Sequence, residues 1–257
     1  MGKDKLDVAL QAQRDANQNI FVPYIMAGDG GLDQLEKTIK FLQECGATAI
    51  EVGIPFSDPV ADGPTIQAAG QRALANGTSL PAILDTLAQF KADRSIPVIL
   101  MTYMNPIFVY GIEKFARDCE KAGVDGVIIP DVPLEEEALI SPSLRDHSIA
   151  LIRLATLETG ANRRAEICQR SEGFIYAVSV TGTTGVRASH HESVRSLLSE
   201  LKEQSAIPVL AGFGISTPEQ ANQLSQHCDG VIVGSKIVQL LHEGKKEEVK
   251  QLIQASL

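Results

Sequence analysis

Residues 48–71, TAIEVGIPFSDPVADGPTIQAAGQ, contain one complete strand–loop–helix unit. The apolar run TAIEVGI is typical of a buried strand, the Pro- and Gly-containing segment after it is typical of a loop, and PTIQAAGQ begins a helix. One carboxylate, Glu51, interrupts the strand, although an unpaired charge is costly to bury. The stretch therefore indicates an α/β fold with a parallel sheet, and it raises the question of what Glu51 does inside a strand.

The same unit recurs along the chain, because short apolar runs alternate with amphipathic segments of about ten residues. The strand candidates are IFVPYIMAG, TAIEVGI, PVILMTY, DGVIIPD, IALIRLA, GFIYAVSV, IPVLAGF and DGVIVGS. Eight such units in 257 residues predict a single (β/α)8 TIM barrel that occupies residues 1–257 as one domain. An open doubly wound sheet is the alternative, but it usually has fewer strands and an early GxGxxG motif, which this sequence lacks.

Three amphipathic segments exceed the minimal barrel. Residues 5–17 predict an extra helix before the first strand. Residues 64–77 predict an additional helix after the second strand, ahead of the helix expected at residues 80–90. Residues 247–256 predict an additional helix after the eighth strand.

Composition excludes several classes of function. A net charge of −9, with no run of Lys or Arg, disfavours a nucleic-acid surface. The four cysteines are widely spaced and form no CxxC pattern, so we expect reduced thiols. His190 and His191 are adjacent without further ligands at metal-binding spacing, so we predict no metal site. The N-terminus lacks the apolar core of a signal peptide, and we expect a cytoplasmic protein, or one in an organelle stroma after removal of a targeting peptide.

Two carboxylates are candidates for catalysis. Alternation along the second strand places Glu51 on the same face as Ala49 and Gly53, toward the barrel interior, where loss of hydration should raise its pKa toward neutrality. The structural alternative is a buried ion pair, for which Arg153 is the one basic residue inside a predicted strand. Asp62 lies in the following loop, where it could bind a cationic or N–H group of a substrate or simply form a turn or helix cap.

Glycine-containing loops predict a phosphate site. AGFGIS (residues 211–216) and VGSKIV (residues 233–238) follow the seventh and eighth strands, where barrels of this class commonly hold phosphate. Glycines allow backbone N–H groups to approach an anion, and a helix that begins at Ser235 would direct its positive end toward it. The loop SVTGTTGVR (residues 179–187) could close over a ligand. The candidate phosphate-binding residues are Thr184, Gly185, Gly212, Gly214, Gly234 and Ser235.

Apolar and aromatic residues near the strand ends suggest a slot for a flat ring. For each residue singly, ordinary barrel core is the competing interpretation. No lysine lies within a predicted strand, which argues against a Schiff-base aldolase and favours acid–base catalysis. Besides Tyr103, the candidates for this slot are Phe21, Leu100, Ile129, Tyr176 and Phe213.

Several motifs together resemble the family of tryptophan synthase α subunits: EVGIPFSDPVADGPTIQ, PVILMTYMNPI, GVIIPDVPLEE, FIYAVSVTGTTG and AGFGIS. The match runs in unbroken order from about residue 21 to residue 235. The resemblance implies a (β/α)8 barrel that cleaves indole-3-glycerol phosphate into indole and glyceraldehyde 3-phosphate. It also implies Glu51 as general acid and base, Asp62 as its partner, Tyr176 beside the reacting groups, and Gly185, Gly214 and Ser235 around the phosphate.

The resemblance further implies a partner. Members of the family work with a β subunit, as an αββα heterotetramer, that carries pyridoxal phosphate and receives indole through an internal tunnel. No cofactor is therefore expected in this chain. Residues 55–63, 105–108 and 131–133 are the segments expected to contact the β subunit.

Three alternatives remain open from the sequence. A free-standing indole-3-glycerol-phosphate lyase shares the fold and the site residues, and would differ in being fast without a β subunit. Another phosphate-binding barrel enzyme, such as a sugar-phosphate isomerase or aldolase, would release no indole. A catalytically inactive barrel kept as an allosteric partner would tolerate replacement of Glu51.

Overall fold

The computed structural model describes residues 2–178, 187–212 and 214–257, with only the backbone described at 187–191. Eight strands lie in these ranges, and each is followed by at least one helix. The strands are β1 (Ile20–Met26), β2 (Ile50–Gly53), β3 (Val98–Met101), β4 (Gly126–Ile128), β5 (Ala150–Thr156), β6 (Ile175–Val178), β7 (Val209–Gly212) and β8 (Gly230–Val233).

The helices include the predicted additions to the minimal barrel, which are confirmed as α1, α3 and α12. None of the described helices is both long and apolar enough to cross a membrane. In the described ranges they are α1 (Lys3–Asp15), α2 (Leu35–Glu44), α3 (Pro64–Ala75), α4 (Leu80–Gln89), α5 (Met104–Tyr110), α6 (Ile112–Ala122), α7 (Ser141–Asp146), α8 (Ala161–Arg170), α9 (Arg187–Gln204), α10 (Pro218–Ser225), α11 (Ser235–His242) and α12 (Lys246–Gln254).

The strands form a closed barrel in chain order, and every neighbouring pair is parallel. β1 closes the barrel by pairing with β8 as well as with β2. In the register of these pairs, Glu51 lies beside Tyr24 on one side and Ile99 on the other. The predicted (β/α)8 barrel is therefore confirmed, with Glu51 in a central position of its strand ladder.

Alternation along β2 decides which side chains enter the barrel. Ile50 and Val52 pack into the apolar layer between strands and helices, whereas Ala49 packs with the residues that fill the barrel interior. Because successive side chains of a strand point to opposite faces, Glu51 shares the inner face with Ala49 and Gly53. The orientation predicted from sequence is thus observed.

Helix α1 closes one end of the barrel. Its buried residues Leu6 and Leu10 pack into the same interior cluster as Ile20 and Phe174, which lie at the N-terminal ends of β1 and β6. The N-terminal end of the barrel is therefore filled by apolar side chains. This leaves the C-terminal ends of the strands as the side on which a ligand can enter, the usual location of active sites in barrels.

Helix α5 is not among the helices predicted from the sequence. The helix begins at Met104, so Pro106 lies in its first turn. A proline there removes an N–H group that has no partner within the helix in any case. The Met104 N–H donates instead to the carboxylate of Asp131, at 3.0 and 3.2 Å from its two oxygens.

Candidate active site

A cavity of about 280 Å³ lies at the C-terminal end of the barrel, where loops after β2, β7 and β8 meet. Carboxylates, tyrosines and small polar groups converge on it, as expected of a pocket that binds and transforms a small molecule. Its described lining includes Tyr24, Glu51, Asp62, Met101, Tyr176, Gly214, Ser216, Ile232, Gly234, Ser235 and Lys236. The two candidate catalytic residues thus share one pocket.

Glu51 is buried without a counter-charge. Its side chain is 1% exposed, and neither carboxylate oxygen has a hydrogen-bond partner within the described residues. Burial, and secondarily the nearby charge of Asp62, raises its pKa from 4.5 to about 8. Arg153, the alternative partner considered from sequence, instead donates to Glu137 at 2.7 Å. A carboxyl group of this kind holds its proton near neutral pH and can release it during a reaction.

Asp62 approaches the pocket from the loop between β2 and α3. Burial raises its pKa to about 6, while a hydrogen bond from the Tyr103 hydroxyl acts in the opposite direction. The N-cap residue of α3 is Gly63, and no side chain caps that helix, so the carboxylate of Asp62 does not serve as a cap. Asp58, in the same loop, accepts a hydrogen bond from the Ser57 hydroxyl at 2.5 Å and does not line the pocket.

The two tyrosines of the pocket occupy space that neighbouring glycines leave open. A Cβ atom at Gly53 would lie 1.9 Å from the hydroxyl of Tyr24, and one at Gly212 would lie 2.3 Å from a ring carbon of Tyr176. Any larger residue at either position would displace a tyrosine. Gly212 makes room for Tyr176 and is not among the lining residues of the cavity, while its phosphate contact stays a prediction.

Three residues predicted for the aromatic slot lie elsewhere. Phe21, Leu100 and Ile129 are buried in the apolar layer between the strands and the helices. The cause is the two-residue period of a strand, because a shift of one position moves a side chain to the opposite face. On the inner face, Tyr24 and Met101 line the cavity instead. The pairing that places Tyr24 level with Glu51 identifies this face, and it comes from the folded barrel because the sequence of β1 does not supply the register.

The loops after β7 and β8 contribute the other wall. Gly214 adopts a φ of +77°, a conformation that favours glycine, and Gly234 is the N-cap residue of α11, whose first residue is Ser235. All three line the cavity, and their contact with phosphate stays a prediction. Thr184, Gly185 and Phe213 lie outside the described residues, as do the side chains of His190 and His191. Within the described part of the chain, no group of three or more His, Cys, Asp or Glu residues is placed to hold a metal ion.

Tyr103 was not singled out for Asp62 from sequence. It is the N-cap residue of α5, and its hydroxyl accepts a hydrogen bond from the Ala61 N–H at 3.1 Å. The same hydroxyl is the hydrogen-bond partner of Asp62. One side chain from the loop after β3 therefore holds both the backbone and the carboxylate of the loop after β2.

Removal of this hydroxyl should change the titration of Asp62. In a Tyr103→Phe variant we expect the pKa of Asp62 to rise above about 6, because the hydrogen bond that lowers it is lost. The measurement is an NMR titration of isotope-labelled Asp side chains. Tyr110→Phe is the matched control, since it removes a hydroxyl that donates to Asp118 at 2.8 Å outside the pocket. An Asp62 that titrates equally in both variants would contradict this role.

Comparison with known proteins gives a consistent result. The sequence model of the family described as "Tryptophan synthase alpha chain" matches residues 10–257. The chain is 59% identical over 257 residues to the tryptophan synthase alpha chain of Oceanobacillus iheyensis, covering 100% of this chain and 98% of that relative. It is 48% identical over 256 residues to a tryptophan synthase alpha chain of Bacillus cereus, with coverage of 100% and 98%.

Solved structures agree with the sequence relatives. Tryptophan synthase subunit alpha from Legionella pneumophila superposes with a TM-score of 0.88 at 34% identity, covering 100% of this chain and 97% of that one. A chain of tryptophan synthase from M. tuberculosis, in its aminoacrylate-bound form, superposes with a TM-score of 0.87 at 31% identity, covering 98% and 97%. The similarity therefore extends over the whole barrel.

Proposed function

The chain belongs to the family of tryptophan synthase alpha chains, and from that premise we propose which residues of the pocket carry out the family's reaction. An alpha chain cleaves indole-3-glycerol phosphate to indole and glyceraldehyde 3-phosphate, so this chain is a carbon–carbon lyase of tryptophan biosynthesis. The observation that carries the residue assignment is the buried Glu51 carboxyl, which lacks a counter-charge and faces a pocket at the C-terminal end of the barrel.

Glu51 is the proton donor and then the proton acceptor. Its proton goes to carbon 3 of the indole ring, which converts the ring to an indolenine and activates the bond to the glycerol carbon. The resulting carboxylate takes the proton of the adjacent hydroxyl group; the carbon–carbon bond then breaks, and its electron pair returns to the ring. Indole and the aldehyde leave, and Glu51 is protonated again. A pKa of about 8 suits a group that must do both near neutral pH.

Asp62 acts as an anion beside the ring. When the ring is protonated, positive charge develops on it and is shared by its nitrogen. A carboxylate that accepts the ring N–H stabilises this charge more in the transition state than in the ground state, which is the requirement for catalysis. With a pKa of about 6, Asp62 is mostly ionised at neutral pH while Glu51 still holds its proton.

The other residues that line the pocket contact either the indole ring or the phosphate of the substrate. Tyr24, Met101, Tyr176 and Ile232 supply apolar surface for the indole ring, and Phe213 stays a predicted contact. Gly214, Gly234 and Ser235 supply backbone and hydroxyl donors for the phosphate, and Thr184 and Gly185 stay predicted contacts. Holding the phosphate at a distance from the reacting carbons allows its binding energy to orient them.

These assignments predict a bell-shaped pH dependence of kcat/KM. The reaction needs Asp62 ionised and Glu51 protonated, so the rate should fall below about 6 and again above about 8. Because the two groups interact, the two apparent values belong to the pair. Steady-state rates of indole release across this range provide the measurement. A kcat/KM that continues to rise through the upper value would contradict the donor role of Glu51.

The alpha chain carries no cofactor, since pyridoxal phosphate belongs to the β subunit with which it works. Exposed apolar residues lie in or beside two of the three predicted contact segments: Val60 is 84% exposed in the loop after β2, and Phe108 and its neighbour Val109 are 57% and 83% exposed on α5. We propose that these side chains become buried against the β subunit, as expected where exposed apolar surface forms an interaction site. The chain assembles with the β subunit as an αββα heterotetramer in the cytoplasm. Residues 1–257 of this chain form one domain.

The decisive experiment measures indole release from indole-3-glycerol phosphate by the purified chain, with and without a β subunit. Slow cleavage that rises sharply when the partner is added supports the proposed function. The relatives, which are alpha chains, do not favour a free-standing lyase; fast cleavage unaffected by the partner would nevertheless revive it. Absence of indole under both conditions would contradict the lyase assignment and with it the role of Glu51.

A further inference from the structure

Lys236 is the cationic side chain of the pocket, the single one in its described lining. It follows β8 and lines the cavity beside Gly234 and Ser235, whereas the two carboxylates come from β2 and the loop after it. The pocket therefore has charges of opposite sign on different elements. A substrate with a ring and a phosphate needs this separation, because its anionic end must stay away from Glu51 and Asp62.

The position of Lys236 within α11 is electrostatically unfavourable. It is the second residue of the helix, and the N-terminal turn carries partial positive charge from unpaired N–H groups. That turn contains no acidic residue, and no side chain caps the helix. A cation at this place breaks a local rule of helix stability, and such violations are expected where a residue serves function.

The surroundings do not offset this cost. The described residues provide no hydrogen bond and no ion pair within 4.0 Å for Lys236. Its charge has a small effect on the pKa of Glu243, which lies at the far end of the same helix and is held mainly by Lys245. Within the described residues, Lys236 thus lines the pocket without an ion-pair partner.

The neighbouring helix α10 differs, because its own side chains satisfy its N-terminus. Thr217 and Gln220 form a capping box there. The side-chain oxygen of Gln220 also accepts from the Ser216 N–H at 2.8 Å and the Ser216 hydroxyl at 3.0 Å. The donors at the start of α10 are therefore already hydrogen-bonded within the protein. For an anion in the cavity, the N–H groups of α11 and the ammonium group of Lys236 are the more available donors.

We propose that Lys236 is a phosphate-binding residue of this chain, and that it selects the phosphorylated substrate over its unphosphorylated counterpart. The proposal rests on the proposed function of the pocket. A lysine ammonium group is a compact charge that suits a dianionic phosphate, and the uncapped N–H groups of α11 complete the site. Ser235 and the backbone of Gly214 and Gly234 give directionality, while Lys236 gives the balancing charge.

The test replaces Lys236 with Gln. We expect KM for indole-3-glycerol phosphate to rise at least about 10-fold, more than any fall in kcat, because a charge-assisted contact to the phosphate is lost. Inhibition by glycerol 3-phosphate should weaken by a similar factor. Unphosphorylated indole-3-glycerol should be processed with the same kcat/KM by both proteins. Lys236→Arg, which keeps the charge, should recover most of the affinity.

Lys250→Gln is the matched control, since Lys250 is an exposed lysine on α12, away from the pocket. Titration calorimetry with glycerol 3-phosphate tests the same contact without turnover, so a failure of the lyase assignment and a failure of this proposal are distinguishable. Absence of indole from the unmodified chain would count against the proposed function. Equal affinity of the unmodified chain and Lys236→Gln for glycerol 3-phosphate, or no binding to either, would overturn the role of Lys236.

Discussion

Replacing Glu51 with Gln is expected to reduce indole release by at least about 10³-fold, because the same carboxyl group serves as proton donor and proton acceptor. Gln is nearly isosteric and occupies the same inner-face position, but it can neither give nor take a proton. The loss should therefore fall on kcat, with affinity for glycerol 3-phosphate retained. Single-turnover measurement of indole release separates the chemical step from product release.

The same substitution is expected to stabilise the protein. Folding raises the pKa of Glu51 from 4.5 to about 8, so the folded state binds the proton more tightly and its stability declines as pH rises between these values. Each unit of difference between the pKa values in the folded and unfolded states corresponds to about 1.4 kcal/mol in the free energy of unfolding. Gln carries no charge and so avoids the cost of ionising a buried carboxyl group. Tm of the variant should therefore exceed that of the unmodified chain above about pH 8. Loss of activity together with gain of stability is the signature of a residue kept for chemistry.

The control for this pair of effects is Glu44→Gln, which removes an exposed carboxylate at the end of α2. It should alter neither turnover nor Tm appreciably. If Glu51→Gln retained full activity, Glu51 would not be the proton donor. If it lowered Tm at high pH, the carboxyl group would have a stabilising partner in the folded protein, contrary to its unpaired environment.

Replacing Asp62 with Asn is expected to lower kcat by about 10²–10³-fold, because one preorganised charge that stabilises the protonated ring is lost. A second effect distinguishes this role from a purely structural one. The charge of Asp62 contributes to the raised pKa of Glu51, so its removal should move the alkaline limb of the pH–rate profile to lower pH.

Binding of glycerol 3-phosphate should be unchanged by Asp62→Asn, because the phosphate contacts come from the loops after β7 and β8. Asp58→Asn, measured on the isolated chain, is the control from the same loop, since that carboxylate bonds to Ser57 and does not line the cavity. Equal loss of turnover and of glycerol 3-phosphate binding would mean that Asp62 shapes its loop and does not act on the ring.

The barrel and the inner position of Glu51 were predictable because both follow from short periods in the sequence. Strand–helix alternation indicates the barrel, and the two-residue period of β2 places Glu51 opposite Ile50 and Val52. The predicted ring slot relies only on apolar character near a strand end, which does not separate the two faces of a strand, so it includes Phe21 and Leu100. The pairing of Tyr24 with Glu51 supplies the register between the strands, and it identifies Tyr24 and Met101 on the inner face.

The contacts between distant loops were not predictable from spacing. Tyr103 reaches Asp62 from another strand–helix connection, and no local pattern reports a contact between them. Lys236 belongs to the quoted segment VGSKIV, but its proposed role depends on the cavity, the uncapped helix and the lack of an ion pair within the described residues. Local sequence therefore predicts which elements form, whereas the chemistry of the site depends on how those elements meet.

The most direct test of the account is the titration of Glu51 itself in the folded, ligand-free chain. Isotope-edited infrared spectroscopy follows the carboxyl band of labelled Glu, and the difference between the unmodified chain and Glu51→Gln assigns the signal. A midpoint of about 8 is the predicted result, and it would establish a carboxyl group that keeps its proton at neutral pH. A midpoint near the ordinary value of 4.5 would contradict the assignment of Glu51 as the proton donor.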